Sequence, residues 1–152
     1  MRVVIQRVSE AYVTIDGKIH SSIGNGLMIL ASFENVDTEK SIDRLCAKIV
    51  SMRIFSDVEG KMNLSALDVG GDILVVSQFT LHASTRKGNR PSFIRAALPS
   101  ISEPLYNIFI DRLGKLLGKP VATGIFGANM KVMLVNNGPV TIVIDTENQE
   151  LS

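Results

Sequence analysis

The sequence predicts an α/β fold: a single domain of mixed, mostly antiparallel β-sheets packed with two main helices. Three observations carry this expectation. Runs of bulky β-forming residues recur from one end of the chain to the other, and only two segments show helical spacing. The order is strands, helix, strands, helix, strands, which gives each helix a sheet face to cover. The length of 152 residues is that of one domain, so 1–152 reads as one unit, with 146–152 as a flexible tail. With 45% hydrophobic and 20% charged residues, the chain has the apolar material for a core.

Arg2 to Val8 and Ala11 to Ile15 read as the first strands, rich in Val, Ile, Tyr and Thr. Asp16-Gly17 is a hairpin signal, because both central positions of such a turn favour φ > 0. Gly24-Asn25-Gly26 marks a second turn before Leu27 to Phe33, a run apolar enough for a fully buried strand. From Thr38 onward Ile42, Leu45, Cys46 and Ile49 recur at helical spacing, with Lys40, Asp43, Arg44 and Lys48 on the other face. Arg53 to Phe55, a turn at Asp57 to Gly60 and the strand Asp72 to Phe79 follow, then a polar loop from Thr80 to Arg90. The second helix starts at Ser100 or Ser102, either a plausible N-cap. It carries the stripe Leu105, Phe109, Leu113 and Leu116, and stops at Gly118 and Pro120. Strands near Val121 to Ile125, Met130 to Val135 and Val140 to Ile144 close the chain.

Lys and Arg total 16 against 15 Asp and Glu, a formal net charge of +1. That excludes a polybasic protein coating long stretches of nucleic acid and leaves room for a small basic patch on one RNA end. The longest apolar runs fall far short of the ~20 residues a bilayer span needs, and Met1 to Arg7 lacks the apolar centre of a secretory signal. A cytoplasmic protein with no membrane partner is expected. Cys46 is alone, which rules out an internal disulfide, and on an apolar helix face it reads as a buried small hydrophobe. His20 and His82 sit in no metal-ligand spacing, and Gly24-Asn25-Gly26 lacks the third glycine of a dinucleotide fingerprint. No metal and no cofactor are expected.

Three segments are richer in polar chemistry than a core requires. Ser77-Gln78-Phe79-Thr80-Leu81 breaks an apolar strand at its end, where unpaired backbone N–H groups can form an oxyanion hole, although a plain strand terminus reads equally well. Arg86-Lys87-Gly88-Asn89-Arg90-Pro91-Ser92-Phe93, with Arg95 beyond, gathers four cations that suit a phosphate backbone or simply a solvated loop. Asn136-Asn137-Gly138-Pro139-Val140-Thr141 reads as a turn between the last two strands.

Together these segments resemble the D-aminoacyl-tRNA deacylase family. Ser77-Gln78-Phe79-Thr80 matches one family signature and Asn137-Gly138-Pro139-Val140-Thr141 the other. Gln6-Arg7-Val8, Met52-Arg53-Ile54-Phe55, Gly60-Lys61-Met62-Asn63, Gly88-Asn89-Arg90-Pro91-Ser92-Phe93 and Phe126-Gly127-Ala128-Asn129-Met130 look like further blocks in family order. The likeness runs from Met1 to about Ile144. One departure stands out: the family commonly has Asp before Gly-Pro, and this chain has Asn137.

The resemblance implies a homodimeric ester hydrolase that releases D-amino acids, and some glycine, from the 3′-terminal adenosine of tRNA. It implies catalytic roles for Ser77, Gln78, Phe79 and Thr80, and a cis Gly138-Pro139 gate that reaches the partner subunit's site and rejects L-residues. It implies substrate contacts from Arg7, Phe126, Met130 and Asn137, and tRNA contacts from Arg86, Lys87 and Arg90. An enzyme that accepts many side chains has to test the Cα configuration, and rigid main-chain carbonyls suit that task. Thr80 is the candidate nucleophile and Ser77 the runner-up, yet neither has a clear base in sequence. His82 is the one nearby candidate base, although two residues along a loop it reads more readily as a surface residue. Water attack with an oxyanion hole at Phe79 and Thr80, helped by the substrate's ribose hydroxyl, is therefore favoured. Phe79, Phe93 and Phe126 are candidates to pack the terminal adenine.

Other readings remain at this point. A non-catalytic tRNA-end-binding module is disfavoured by sparse aromatics, six Phe, two Tyr and no Trp. A dimerisation domain draws on the apolar Val140 to Ile144 but leaves the polar strand end at Ser77 unexplained. A deacylase for small non-tRNA esters leaves the basic loop without a purpose.

Overall fold

A computed structural model describes residues 1–148. The elements are β1 (Arg2–Ile15), β2 (Lys18–Ile23), β3 (Gly26–Ser32), α1 (Glu39–Ser51), β4 (Phe55–Ser56), β5 (Met62–Leu64), β6 (Asp72–Ser77), a 3-10 turn (Phe79–His82), α2 (Pro99–Leu117), β7 (Ala122–Thr123), β8 (Lys131–Asp145) and a 3-10 turn (Thr146–Asn148). The order β2-β1-β3-β6-β7 forms the main sheet, with β8 also on β1; β1 is antiparallel to β2, β3 and β8, while β3, β6 and β7 run parallel. Ser21 Oγ donates to the Thr123 carbonyl at 2.7 Å, linking β2 to β7 so that the curled sheet nearly closes on itself. This is the expected α/β class, a mixed sheet with two helices.

The strand β3 is buried on both faces because it divides two apolar clusters. Leu27 and Ile29 face the helices, against Ile42, Leu45, Ile49, Phe109 and Leu113. Met28 faces the inside of the curled sheet, against Val8, Val13, Leu74 and Val76. Burying each such large side chain stabilises the fold by ~1.5–3 kcal/mol. Helix α1 begins where its sequence predicts, at a Thr38 capping box closed by Ser41. Cys46 lies in this core, and burial pushes its thiol up to about 12, so it is an inert packing group.

Several boundaries differ from the sequence reading. One continuous β1 replaces two predicted strands; Ser9 and Glu10 are exposed where the strand changes partner from β3 to β2. One continuous β8 replaces the last two strands, so Asn136 to Val140 is no hairpin turn. Helix α2 starts at Pro99 with Leu98 as cap; Ser102 Oγ donates to the Leu98 carbonyl at 3.1 Å instead of capping. The strand predicted to reach Phe79 ends at Ser77, and the one at Val121 to Ile125 shrinks to two residues. Of the predicted flexible tail, Thr146 to Asn148 form the last 3-10 turn, and Thr146 N–H donates to the Met1 carbonyl at 3.0 Å. Residues 149–152 lie outside the described part.

Candidate active site

Parallel strands β3 and β6 end together, with Ala31 opposite Ser77. The chain leaving β6 makes the Phe79–His82 turn, and beside these strand ends lies a cleft of about 590 Å³. Ser32, Ser77, Gln78, Phe79, Phe126 and Met130 line it. The Phe79 ring is 57% exposed and meets Phe93 edge-on at 5.2 Å, while Phe126 rests on Tyr106 at 5.7 Å. Gln78 N–H is spent on the Ala31 carbonyl at 2.8 Å. The Phe79 and Thr80 N–H groups open the 3-10 turn, where the helical pattern offers them no acceptor. Gln78 Nε2 donates to Thr80 Oγ1. Among the described residues no imidazole bonds Thr80; the His82 side chain is buried instead against Ser32 and Glu34.

His82 is 1% exposed, contrary to a surface loop position. Its Nδ1 lies 2.6 Å from Ser32 Oγ, and its Nε2 lies 3.1 Å from Glu34 Oε2. That second approach is off line, so neither Nε2 nor Oε2 has a well-aligned hydrogen bond. Arg95 Nε donates to Glu34 Oε1 at 2.9 Å, which removes Arg95 from the expected basic cluster. Burial holds the His82 imidazole below its ordinary range, partly opposed by Glu34. Arg2 donates to the Leu81 carbonyl at 2.6 Å and to Asp145 at 2.6 Å. Burial alone would raise the Asp145 carboxyl, but the Arg2 guanidinium and the Glu147 N–H hold it below the usual range. Glu34, Asp145 and Glu147 gather carboxylates within 4.8 Å, with the Arg2 and Arg95 guanidiniums bonded into the group. Sequence reasoning missed this network; the one signal was an acid, Glu34, directly after an apolar strand.

The second signature lies elsewhere. Gln6 pairs with Thr141 and Val8 with Asn136, so Asn137 to Val140 bulge opposite Arg7 alone. Arg7 Nε donates to the Asn137 carbonyl and another Arg7 nitrogen to the Ile54 carbonyl, both at 2.7 Å. Asn136 stitches the base: its Oδ1 accepts from Val140 N–H at 2.7 Å, and its Nδ2 donates to Gln6 Oε1 and Thr141 Oγ1, both at 3.0 Å. Gly138 and Pro139, joined by a cis peptide bond, are exposed at the tip. Among the described residues the Asn137 side chain makes no hydrogen bond, and the bulge is held through the Asn137 carbonyl and Asn136. Arg7 pairs with Leu27 whereas Val3 pairs with Ala31 at the cleft, four residues further along. At ~3.3 Å per residue that is roughly 13 Å along the strands, with additional strand spacings across the sheet. The chain thus gathers Ser77 to Thr80, Phe126 and Met130 at one end, and Arg7, Asn137, Gly138 and Pro139 at another.

A third feature lies between the turn and Phe93, both of which line the cleft. Ser84 and Ser92 exchange backbone hydrogen bonds at 2.8 and 2.9 Å and close a loop that presents exposed Arg86, Lys87 and Arg90. None of these three has an ion-pair partner among the described residues. No helix of the described residues is long and apolar enough to cross a membrane.

Known proteins share this fold. The family described as D-Tyr-tRNA(Tyr) deacylase matches residues 4–145. A D-aminoacyl-tRNA deacylase of Bacteroides thetaiotaomicron is 60% identical over 99% of this chain and 100% of its own length. One of Bacteroides fragilis is 62% identical with the same coverage. Among solved structures, a c-Myc DNA unwinding element binding protein superposes with a TM-score of 0.90 at 39% identity, covering 95% of this chain and 98% of that one. A probable eukaryotic D-amino acid tRNA deacylase shares the fold at a TM-score of 0.81 and 19% identity, covering 94% and 97%. With the matched region spanning both signatures and nearly every element of the fold, the chain belongs to the D-aminoacyl-tRNA deacylase family of hydrolases acting on aminoacyl-tRNA.

Proposed function

We propose that the chain hydrolyses the ester of D-aminoacyl-tRNA, and of glycyl-tRNA, at a site completed between two subunits in the cytoplasm. The 3′-terminal adenosine enters the cleft, its base against the Phe79, Phe93 and Phe126 rings, while Arg86, Lys87 and Arg90 hold the phosphates behind it. The ester carbonyl points at the Phe79 and Thr80 N–H groups, which stabilise the oxyanion when water attacks. The neighbouring ribose hydroxyl assists, so no side-chain nucleophile is needed. Thr80 Oγ1, already paired with Gln78, acts at most as a polar neighbour. Water adds to the carbonyl carbon, the ribose oxygen leaves with a proton, and free D-amino acid and tRNA are released.

The observation that carries the two-subunit reading is the distance within one chain between the cleft and Gly138-Pro139. The exposed gate dipeptide needs a cleft, and its own lies at another part of the sheet. Strand β8, which bears it, also exposes Met133 and Val135 on the face opposite its core-packed Val132 and Leu134, an apolar strip suited to a second copy. In such a dimer each gate enters the partner's cleft. Arg7 and Asn137 then act on substrate through the bulge they hold, and the Gly138 and Pro139 carbonyls occupy the space an L-side chain would need. Glycine, lacking a side chain, passes. Matched D- and L-tyrosyl-tRNA test the proposal: rapid release of D-tyrosine with the L-ester spared is expected, and equal rates on both would end it.

A further inference from the structure

The turn bearing the Phe79 and Thr80 amides is braced from behind by groups that touch no substrate in the proposed mechanism. His82 is its last residue, and its imidazole is anchored to Ser32 Oγ on the end of β3 at 2.6 Å. Ser32 is itself 2% exposed, so the anchor is dry and water does not compete for it. The same hydroxyl lies 3.4 Å from the Phe79 carbonyl, a long second contact. That carbonyl belongs to the same planar peptide unit as the Thr80 N–H and points the opposite way. Whatever fixes the Phe79 oxygen from behind therefore aims the Thr80 N–H in front.

Each contact has a partner that fixes it in turn. Arg95 holds the Glu34 carboxylate at 2.9 Å, and although its Oε2 stands off line at 3.1 Å from His82 Nε2, the proximity of the two favours the tautomer with the proton on Nε2. Nδ1 is then the acceptor and Ser32 the donor, its proton shared unequally between imidazole and Phe79 carbonyl, as the 2.6 and 3.4 Å distances indicate. Arg2 pins the Leu81 carbonyl at 2.6 Å from another side. The turn is tied to β3 through His82 and to β1 through Arg2, while its first two amides stay free.

We propose that Ser32 and His82 are positioning residues that aim the Phe79 and Thr80 amides at the ester carbonyl. The inference rests on the oxyanion role given to those amides under the proposed function. It assigns Ser32 Oγ no nucleophilic role, although serine, imidazole and carboxylate stand in line. The hydroxyl is packed between His82 and the Phe79 carbonyl, and its anchor works only if it stays there.

The test uses the full-length protein with D-tyrosyl-tRNA at saturating and limiting concentrations, alongside melting temperatures. His82→Ala should lower kcat by about 10-fold to 100-fold, the scale of a misaimed oxyanion donor, and leave KM within about twofold. Asparagine places its amide near the Nδ1 position and glutamine places its own near Nε2. H82N should therefore recover most of the lost kcat through Ser32, whereas H82Q should not, although both keep a polar group in the same space. Ser32→Ala should match His82→Ala, and the double variant should be no worse than either. Three results would overturn the proposal: an unchanged kcat in H82A, equal rescue by N and Q that simply tracks melting temperature, or an acyl-enzyme trapped on Ser32. An inactive wild-type protein would instead sink the deacylase reading, so the two failures are distinguishable.

Discussion

The Phe79–His82 turn is braced inside its own chain, whereas the Asn137–Val140 bulge is tied down at its base and bare at its tip. Behind the turn, Ser32, His82, Glu34 and Arg2 supply buried or half-buried partners. At the bulge, Arg7 and Asn136 hold the flanks, and Gly138 and Pro139 touch solvent. The contrast teaches where each half of the proposed chemistry is completed. Amides proposed to stabilise a charge have to be aimed in advance by the fold that carries them, and the brace behind this turn suits that task. A gate that tests a substrate held elsewhere has to project, rigid at its root and free at its end.

The comparison is broken most severely at Gly138. A Cβ there would lie 2.8 Å from Val140 Cγ2, 2.9 Å from Val140 N and 3.0 Å from an Arg7 nitrogen, at φ +149°, where L side chains are strained. Gly138→Ala should displace the tip and cost ~10–100-fold in discrimination between D- and L-tyrosyl-tRNA, read from the ratio of kcat/KM values. Unaltered selectivity would mean that the bulge does no testing. Next in size is removal of the loop charges. Arg86→Ala, Lys87→Ala and Arg90→Ala together should raise KM without lowering kcat. They should also flatten the dependence of log KM on log salt by about 0.7 for each phosphate left without its cation. An identical salt slope would free the loop from any RNA role.

Thr80→Ala should do less, keeping kcat within about tenfold of wild type, because the backbone amide survives the change. A covalent aminoacyl adduct captured on Thr80 would restore it as nucleophile. The smallest effect concerns acid. His82 titrates below its ordinary 6.5 in the fold because burial disfavours the imidazolium, with Arg2, Arg95 and the Met1 amine adding to that and Glu34 opposing it. Between the folded pKa and 6.5 the unfolded chain binds more protons, so stability falls as pH drops through this window. The carboxylates with depressed pKa, Asp68 and Asp145, take over only near and below 3.8. H82N should remove the upper part of the slope in denaturation curves; a slope unchanged by the substitution would show that another group carries it.

Local chemistry makes part of this legible from sequence. Thr38 with the Ile42, Leu45 and Ile49 spacing defines α1, because cap and apolar stripe are encoded within a few residues of each other. Ser77 to Thr80 is recognisable because polar residues interrupt an apolar strand. What stays hidden depends on pairing across the chain. Asn136 to Val140 looks like a hairpin turn until β1 runs past it and leaves Arg7 opposite the extra residues. Ser102 looks like a cap until Leu98 takes that place. His82 looks like a loop residue, since nothing near it in sequence announces Ser32 and Glu34, some fifty residues earlier. Asn137 stands out as a departure from the family, yet the bonding falls to Asn136 and to the Asn137 carbonyl.

The central claim is that each cleft is completed by the bulge of a second subunit, and subunit mixing tests it most directly. One partner carries Gly138→Ala with Pro139→Ala; the other carries Thr80→Pro, which deletes one oxyanion N–H. If the bulge acts in trans, the mixed dimer holds one site with both defects and one with neither. D-selective hydrolysis should then reappear on mixing two impaired proteins, reaching about half the wild-type rate per mixed dimer. If the bulge acted on its own chain's cleft, every site would keep one defect and mixing would restore nothing. A fully active, D-selective monomer would contradict the claim outright.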